Sequence, residues 1–139
     1  MDDAIFELIG RDPFAGRMGI EMLEVEDGRA VARMEITDSH RNFLGVVHGG
    51  AIFSLADVAF GAAANSWGTR SMAIHITIDY LAPPGDTPWL EAEVTKTGRA
   101  GRTCYYGMEV RNSAGEVIAV LSGWAYETKK DLLDGATNP

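Results

Sequence analysis

The sequence predicts an α+β fold in which a curved antiparallel sheet wraps around one long central helix. Three observations carry that expectation. The apolar run from Ala51 to Ala64 suits a buried helix and is too short to span a bilayer. Two strand candidates precede it and four follow it. Only this helix is long enough to cover the sheet's apolar face. Because it is apolar nearly all round, a sheet curved about it is the natural way to bury it.

The elements follow in order. Ile5, Phe6, Leu8 and Ile9 give a short amphipathic helix, with a second turn near Pro13 to Gly16. Strand candidates run from Ile20 to Val25 and from Arg29 to Ile36, joined by the strong hairpin signal Asp27-Gly28. A loop from Thr37 to His48 leads into the helix, expected from about Gly49 to Ser66. Met72, Ile74, Ile76, Ile78 and Tyr80 alternate with Ala73, His75, Thr77 and Asp79, the pattern of a strand with one buried face. Pro83-Pro84-Gly85-Asp86 ends it. Leu90, Ala92 and Val94 mark the next strand. After Gly98-Arg99-Ala100-Gly101, residues Cys104, Tyr106, Met108 and Val110 alternate with Tyr105, Gly107, Glu109 and Arg111. The last run, Val117 to Tyr126, is apolar on both faces, which places it centrally or at an interface.

A chain of 139 residues fits one domain, residues 1–139, large enough to bury a real core. Hydrophobic residues make up 46% and charged residues 23%, ordinary values for a globular protein. A net charge of −8 argues against a nucleic-acid partner or an anionic membrane surface, since both need clustered Lys and Arg. Cys104 is the one cysteine, so neither an internal disulfide nor a cysteine metal cluster is expected. Three histidines without ligand spacing give no reason to expect a metal. The N-terminus lacks the pattern of a signal peptide, so a cytoplasmic location is expected.

The segment from Asn42 through His48-Gly49-Gly50 into Asp57 holds the chemistry. Gly49 and Gly50 stand at the start of the long helix, where bare backbone N–H groups and the helix dipole favour negative charge. Asp57, among Leu55, Ala56, Val58, Ala59 and Phe60, is a carboxylate where charge is disfavoured. An anion site plus a base is what cleavage of an activated carbonyl requires. Gly50, Ser54, Asp57, Gly61 and Asn65 fall within a sector of roughly 80° on a helix. Such a stripe is either a helix–helix seam or one wall of a site, and Asp57 favours the site. Gly49 and Asp57 lie about 12 Å apart along the helix axis, too far for one carbonyl to touch both within a chain. If both act on one ester or thioester, they come from different subunits of a two-fold dimer.

Other candidates carry two readings each. His48 either takes part in proton transfer or orients the loop. Asn42 either braces that loop or contacts the substrate or a water. His40 and His75 look ordinary. Arg99 and Arg102, with Lys96, flank a Gly-rich turn that either holds ligand phosphates or is a solvated basic turn. There is no G-x-S-x-G elbow, P-loop or dinucleotide fingerprint.

Asn42-x-x-Gly45-x-x-His48-Gly49-Gly50-x-x-Phe53-x-Leu55-Ala56-Asp57 resembles the signature of the hotdog-fold acyl-CoA thioesterases, specifically the PaaI type of phenylacetate degradation. The likeness extends through Ala64-Asn65-Ser66 and, more loosely, over the strands to about Tyr126. It implies a helix "sausage" in an antiparallel "bun", dimers paired sheet edge to sheet edge, and often homotetramers built from two dimers. It implies hydrolysis of an acyl-CoA thioester at the dimer interface, with CoA part of the substrate and no cofactor. Carried onto this chain, Asp57 is the general base or the nucleophile, and the Gly49 N–H polarises the carbonyl. His48 and Asn42 order the loop and approach the leaving sulfur or water. Gly50, Ser54, Gly61 and Asn65 line the substrate path, and Arg99 and Arg102 meet the CoA phosphates. Two rivals remain: a hotdog hydratase or dehydratase pairing His48 with Asp57, and a non-catalytic acyl-CoA binder.

Overall fold

The computed structural model describes residues 2–134. Two short helices come first, α1 (Asp3–Ile9) and α2 (Pro13–Met18). Each starts from an aspartate that caps it: Asp2 accepts the Ala4 N–H at 2.8 Å and Asp12 the Ala15 N–H at 3.1 Å. Pro13 occupies the first turn of α2, where its missing N–H goes unneeded.

Strands β1 (Ile20–Glu26) and β2 (Arg29–Glu35) then form the expected hairpin. Asp27 and Gly28 take φ values of 44° and 79°, the pair of positive angles that a two-residue turn between twisted strands demands. This turn is pinned to the end of the central helix, because the Gly28 N–H donates to Ser66 Oγ at 2.7 Å. A side chain at Gly28 has no room: a Cβ there would lie 2.3 Å from the Trp67 ring.

The central helix, α3, spans Gly49–Ala64, two residues shorter than expected because Asn65 caps it and Ser66 turns the chain. Leu55, Ala56, Ala59 and Phe60 are buried against the sheet, and Phe60 meets Tyr106 at 5.2 Å between ring centres. Strands β3 (Thr69–Tyr80), β4 (Trp89–Ala100), β5 (Thr103–Asn112) and β6 (Val117–Asp131) complete one antiparallel sheet in the order β1-β2-β4-β5-β6-β3. This is the hotdog architecture. Among the described residues, no helix is long and apolar enough to cross a membrane.

Three details differ from the sequence reading. The alternation in β3 is broken by a bulge between Ala73 and His75. Ile76, Ile78 and Tyr80 share the helix side of the sheet with Ala73, whereas Met72 pairs with Tyr126 on the outer side and Ile74 is the extra residue. The buried face expected of β3 is also largely uncovered, because β3 is an edge strand bonded only to β6. Strand β4 runs on to Ala100, past a bulge between Lys96 and Gly98, so Arg99 sits in the strand and only Gly101-Arg102 make the turn. The apolar run of β6 lies between β5 and β3, which accounts for its inner face; Trp124 and Tyr126 on the outer face stay exposed.

Candidate active site

The open face of α3 is the stripe read from the sequence. The sheet covers the bulky residues, while Gly50, Asp57 and Gly61 are exposed and Ser54 and Asn65 half-buried. The stripe therefore faces away from the chain's own core. In one respect the expectation needs correcting: Asp57 is not buried within a single chain, since its apolar neighbours occupy the other faces of the helix. It opens instead into a cavity of about 550 Å³ walled by α1, α2 and β1.

Among the described residues, the Asp57 carboxylate has neither a hydrogen-bond donor nor a cation as partner. Loss of water against the cavity walls pushes its pKa above the ordinary carboxylate value, and the like charge of Asp12 adds to this. An unpartnered carboxylate with a raised pKa is a serviceable base.

The start of α3 decides which backbone donors are free. His48 is its N-cap, and its Nδ1 accepts the Gly50 N–H at 2.7 Å. The His48 carbonyl accepts from both Ala51 and Ile52, at 2.9 and 3.2 Å. Of the four N–H groups a helix start leaves over, those of His48, Gly50 and Ala51 are engaged, the first by the His40 carbonyl at 2.7 Å, and the Gly49 N–H alone has no partner among the described residues. Gly50 is needed as glycine because a Cβ would stand 2.9 Å from the capping Nδ1.

Tyr80 is a participant the sequence did not single out. Its hydroxyl donates to the Gly49 carbonyl at 2.8 Å, and a Cβ on Gly49 would meet that oxygen at 3.0 Å. The end of β3 thereby fixes the first peptide of α3. Nothing in the β3 pattern marks Tyr80 for this task; its place at the sheet edge beside the helix start does.

The loop before the helix is braced from within. Asn42 Oδ1 accepts the N–H groups of Leu44 and Val46 at 2.9 and 3.4 Å, closing a turn in which Gly45 has a φ of 80°. His40, expected to be ordinary, is buried and ties the loop down: Nδ1 accepts from the Thr37 N–H at 3.0 Å and Nε2 meets the Met18 carbonyl at 2.6 Å. The backbone of His48 in turn donates to the His40 carbonyl at 2.7 Å. The loop tip turns outward, with Phe43 96% exposed. His75 is exposed and stacks on Trp124, 4.8 Å between ring centres.

The remaining candidates are engaged within the chain. The Ser54 hydroxyl donates to the Gly50 carbonyl at 2.7 Å. The Asn65 amide donates to the Gly61 and Ser71 carbonyls and accepts the Ser71 N–H, clamping the helix end to β3. Arg99 pairs with the Glu127 carboxylate at 2.5 Å, and Arg102 donates to the Glu127 carbonyl at 3.0 Å. The structure gathers Asn42, His48, Gly49 and Gly50 at one end of the helix, sets Asp57 midway, and puts Arg99 near the end of β4 and Arg102 in the β4–β5 turn.

Known proteins share this fold and part of this sequence. The thioesterase superfamily profile matches residues 44–119. The acyl-coenzyme A thioesterase PaaI of Escherichia coli K12 is 37% identical over 114 residues, 81% of this chain and 80% of its own. The structure of E. coli PaaI, from the phenylacetic acid degradation operon, superposes with a TM-score of 0.83 at 32% identity, over 92% of this chain and 91% of that one. A variant of the phenylacetic acid degradation protein PaaI from Thermus thermophilus gives a TM-score of 0.79 at 32% identity, over 84% and 100%. With its hotdog sheet, its His-Gly-Gly helix start and these relatives, the chain belongs to the thioesterase superfamily and is a thioester hydrolase.

Proposed function

We propose that the chain hydrolyses acyl-CoA thioesters, with an aromatic or a short to medium acyl group, to the free acid and CoA. The observation that carries this reading is the unshared Gly49 N–H at the positive end of α3, on the same helix whose open face presents the unpartnered Asp57. A thioester carbonyl gathers negative charge when attacked, and one preorganised donor to it is worth about 3–4 kcal/mol. Asp57 either activates a water or attacks the carbonyl itself.

Eight residues of helix separate the two groups, about 12 Å. The reading therefore has the Gly49 of one protomer act with the Asp57 of its partner, in a two-fold dimer with two equivalent sites. Support comes from β3, an edge strand with a single neighbour, and from the exposed Phe43 and Leu44 of the nearby loop. Met72, Trp124 and Tyr126, exposed on the outer side of the sheet, would serve the joining of two dimers into a tetramer. Arg99 and Arg102 are offered as contacts for the CoA phosphates once their bonds to Glu127 are exchanged. The PaaI names of the relatives favour an aromatic acyl group and a place in phenylacetate degradation.

The hydratase rival needs His48 as a proton-transfer group. Its Nδ1 accepts the Gly50 N–H, which supports a capping role and leaves only Nε2 for proton transfer.

The test is thiol release from a panel of aromatic and aliphatic acyl-CoA esters by the intact chain and by Asp57→Ala. Turnover that collapses in a folded, dimeric variant supports the reading. Absence of release from every ester, or release indifferent to Asp57, counts against it.

A further inference from the structure

We propose that Asp12 makes the cavity beside Asp57 reject acyl groups that carry a carboxylate of their own, so that the enzyme selects neutral acyl chains or rings. The inference rests on the acyl-CoA reading above and adds the substrate class.

The cavity holds about 550 Å³, within the range of ~300–1,000 Å³ usual for small-molecule sites. Its walls are mostly apolar, formed by Leu8 and Ile9 of α1, Phe14 of α2, Met22 of β1 and Val58 of α3. Asp57 lies on its lining, so a carbonyl presented to Asp57 sends its acyl substituent toward these walls. Two charged side chains line the cavity among the described residues, Asp12 and Asp57, and both are negative. No lysine, arginine or histidine faces the cavity from α1, α2, β1, α3 or β3 among those residues.

Asp12 is not free to swing away. As the cap of α2 its carboxylate accepts the Ala15 N–H at 3.1 Å, which holds it half-buried at the cavity wall. The like charge of Asp12 already bears on Asp57, whose pKa it helps to raise. A third carboxylate, carried in on the acyl group, would meet two negative charges and no cation on this protomer's walls of a cleft partly closed to water. A neutral chain meets only the apolar walls.

The experiment compares kcat/KM of the full chain on matched CoA esters that differ by a terminal carboxylate: hexanoyl against adipoyl, and phenylacetyl against para-carboxyphenylacetyl. The carboxylated member should be at least about tenfold poorer, the size expected of a like charge in a partly desolvated cleft. Asp12→Asn keeps a side chain that caps helices well and removes the charge, so it should shrink that ratio at least about fivefold. Asp12→Ser, which also caps, should move the ratio the same way. Equal hydrolysis of both members of a pair, or a ratio that neither variant changes while neutral esters are turned over, overturns this inference and leaves the thioesterase reading standing. Absence of hydrolysis of every CoA ester overturns both.

Discussion

His48 Nδ1 accepts the Gly50 N–H at 2.7 Å, and that bond determines which backbone donor the central helix leaves open. With Gly50 bonded to the cap and Ala51 and Ile52 bonded to the His48 carbonyl, Gly49 is left to face a substrate. His48 on this account is a capping residue. Asparagine also caps helices well, whereas alanine does not and costs about 1 kcal/mol at such a position. His48→Asn should therefore keep the greater part of kcat and the melting temperature, and His48→Ala should lose stability and activity together. Equal, near-complete loss of kcat in both variants with stability unchanged would instead make His48 a proton-transfer group.

Gly49 occupies the first position of α3, where proline fits a helix. His48 before it has φ −63° and ψ 135°, the extended backbone that a following proline requires. Gly49→Pro thus deletes the N–H while leaving the helix able to form. We expect kcat to fall by about 10²–10³, the usual loss of one oxyanion donor. Gly49→Ala is the companion variant. It retains the N–H but presses on the Tyr80 hydroxyl, 3.0 Å from the new Cβ, so its loss should be smaller and should soften in Tyr80→Phe. Steady-state kinetics of the variants decide the matter; a proline variant as active as the alanine one would remove Gly49 from the chemistry.

The helix stripe, the hairpin at Asp27-Gly28 and the six strands are legible in the sequence because each is written in a short-range period or a turn pair. The bulge at Ala73 and His75 is not, since Met72, Ile74, Ile76 and Ile78 alternate without interruption and nothing local marks one residue as extra. That bulge is what puts Ala73, rather than Met72, on the lining of the Asp57 cavity. The exposure of Asp57 was hidden for a related reason: its sequence neighbours are apolar, yet they point to other faces of the helix. Tyr80 and Asp12 join the site only through contacts between distant segments. The capping role of His48 was one of two readings, and the hydrogen bond that supports it joins a side chain to a backbone two residues on, which no sequence period displays.

Asp57 should leave its mark on the pH profile. Loss of water against the cavity wall and the charge of Asp12 raise its pKa, and the reaction needs its ionised form. The acid limb of kcat/KM should accordingly lie above the ordinary carboxylate pKa, and Asp12→Asn should move it to lower pH. Stability follows with the opposite preference. A carboxylate whose pKa is higher folded than unfolded stabilises fully below its unfolded pKa, and that contribution is lost as pH rises through the folded value. Asp57→Asn should therefore melt higher than the parent at neutral pH, with the gap closing in acid. Thermal melts across that range measure it; a gap that is absent or reversed at neutral pH contradicts the raised pKa.

On the reading proposed here, each site joins the Gly49 of one protomer to the Asp57 of the other. This pairing is tested most directly by mixing two inactive variants, Asp57→Ala and Gly49→Pro, unfolding them together and refolding at equal amounts. In a shared site every mixed dimer regains one intact pair and loses the other, so activity should return to about a quarter of the parent's. If the mixture stays as inactive as its two components while mixed dimers are shown to form, Gly49 and Asp57 of different protomers do not share a site.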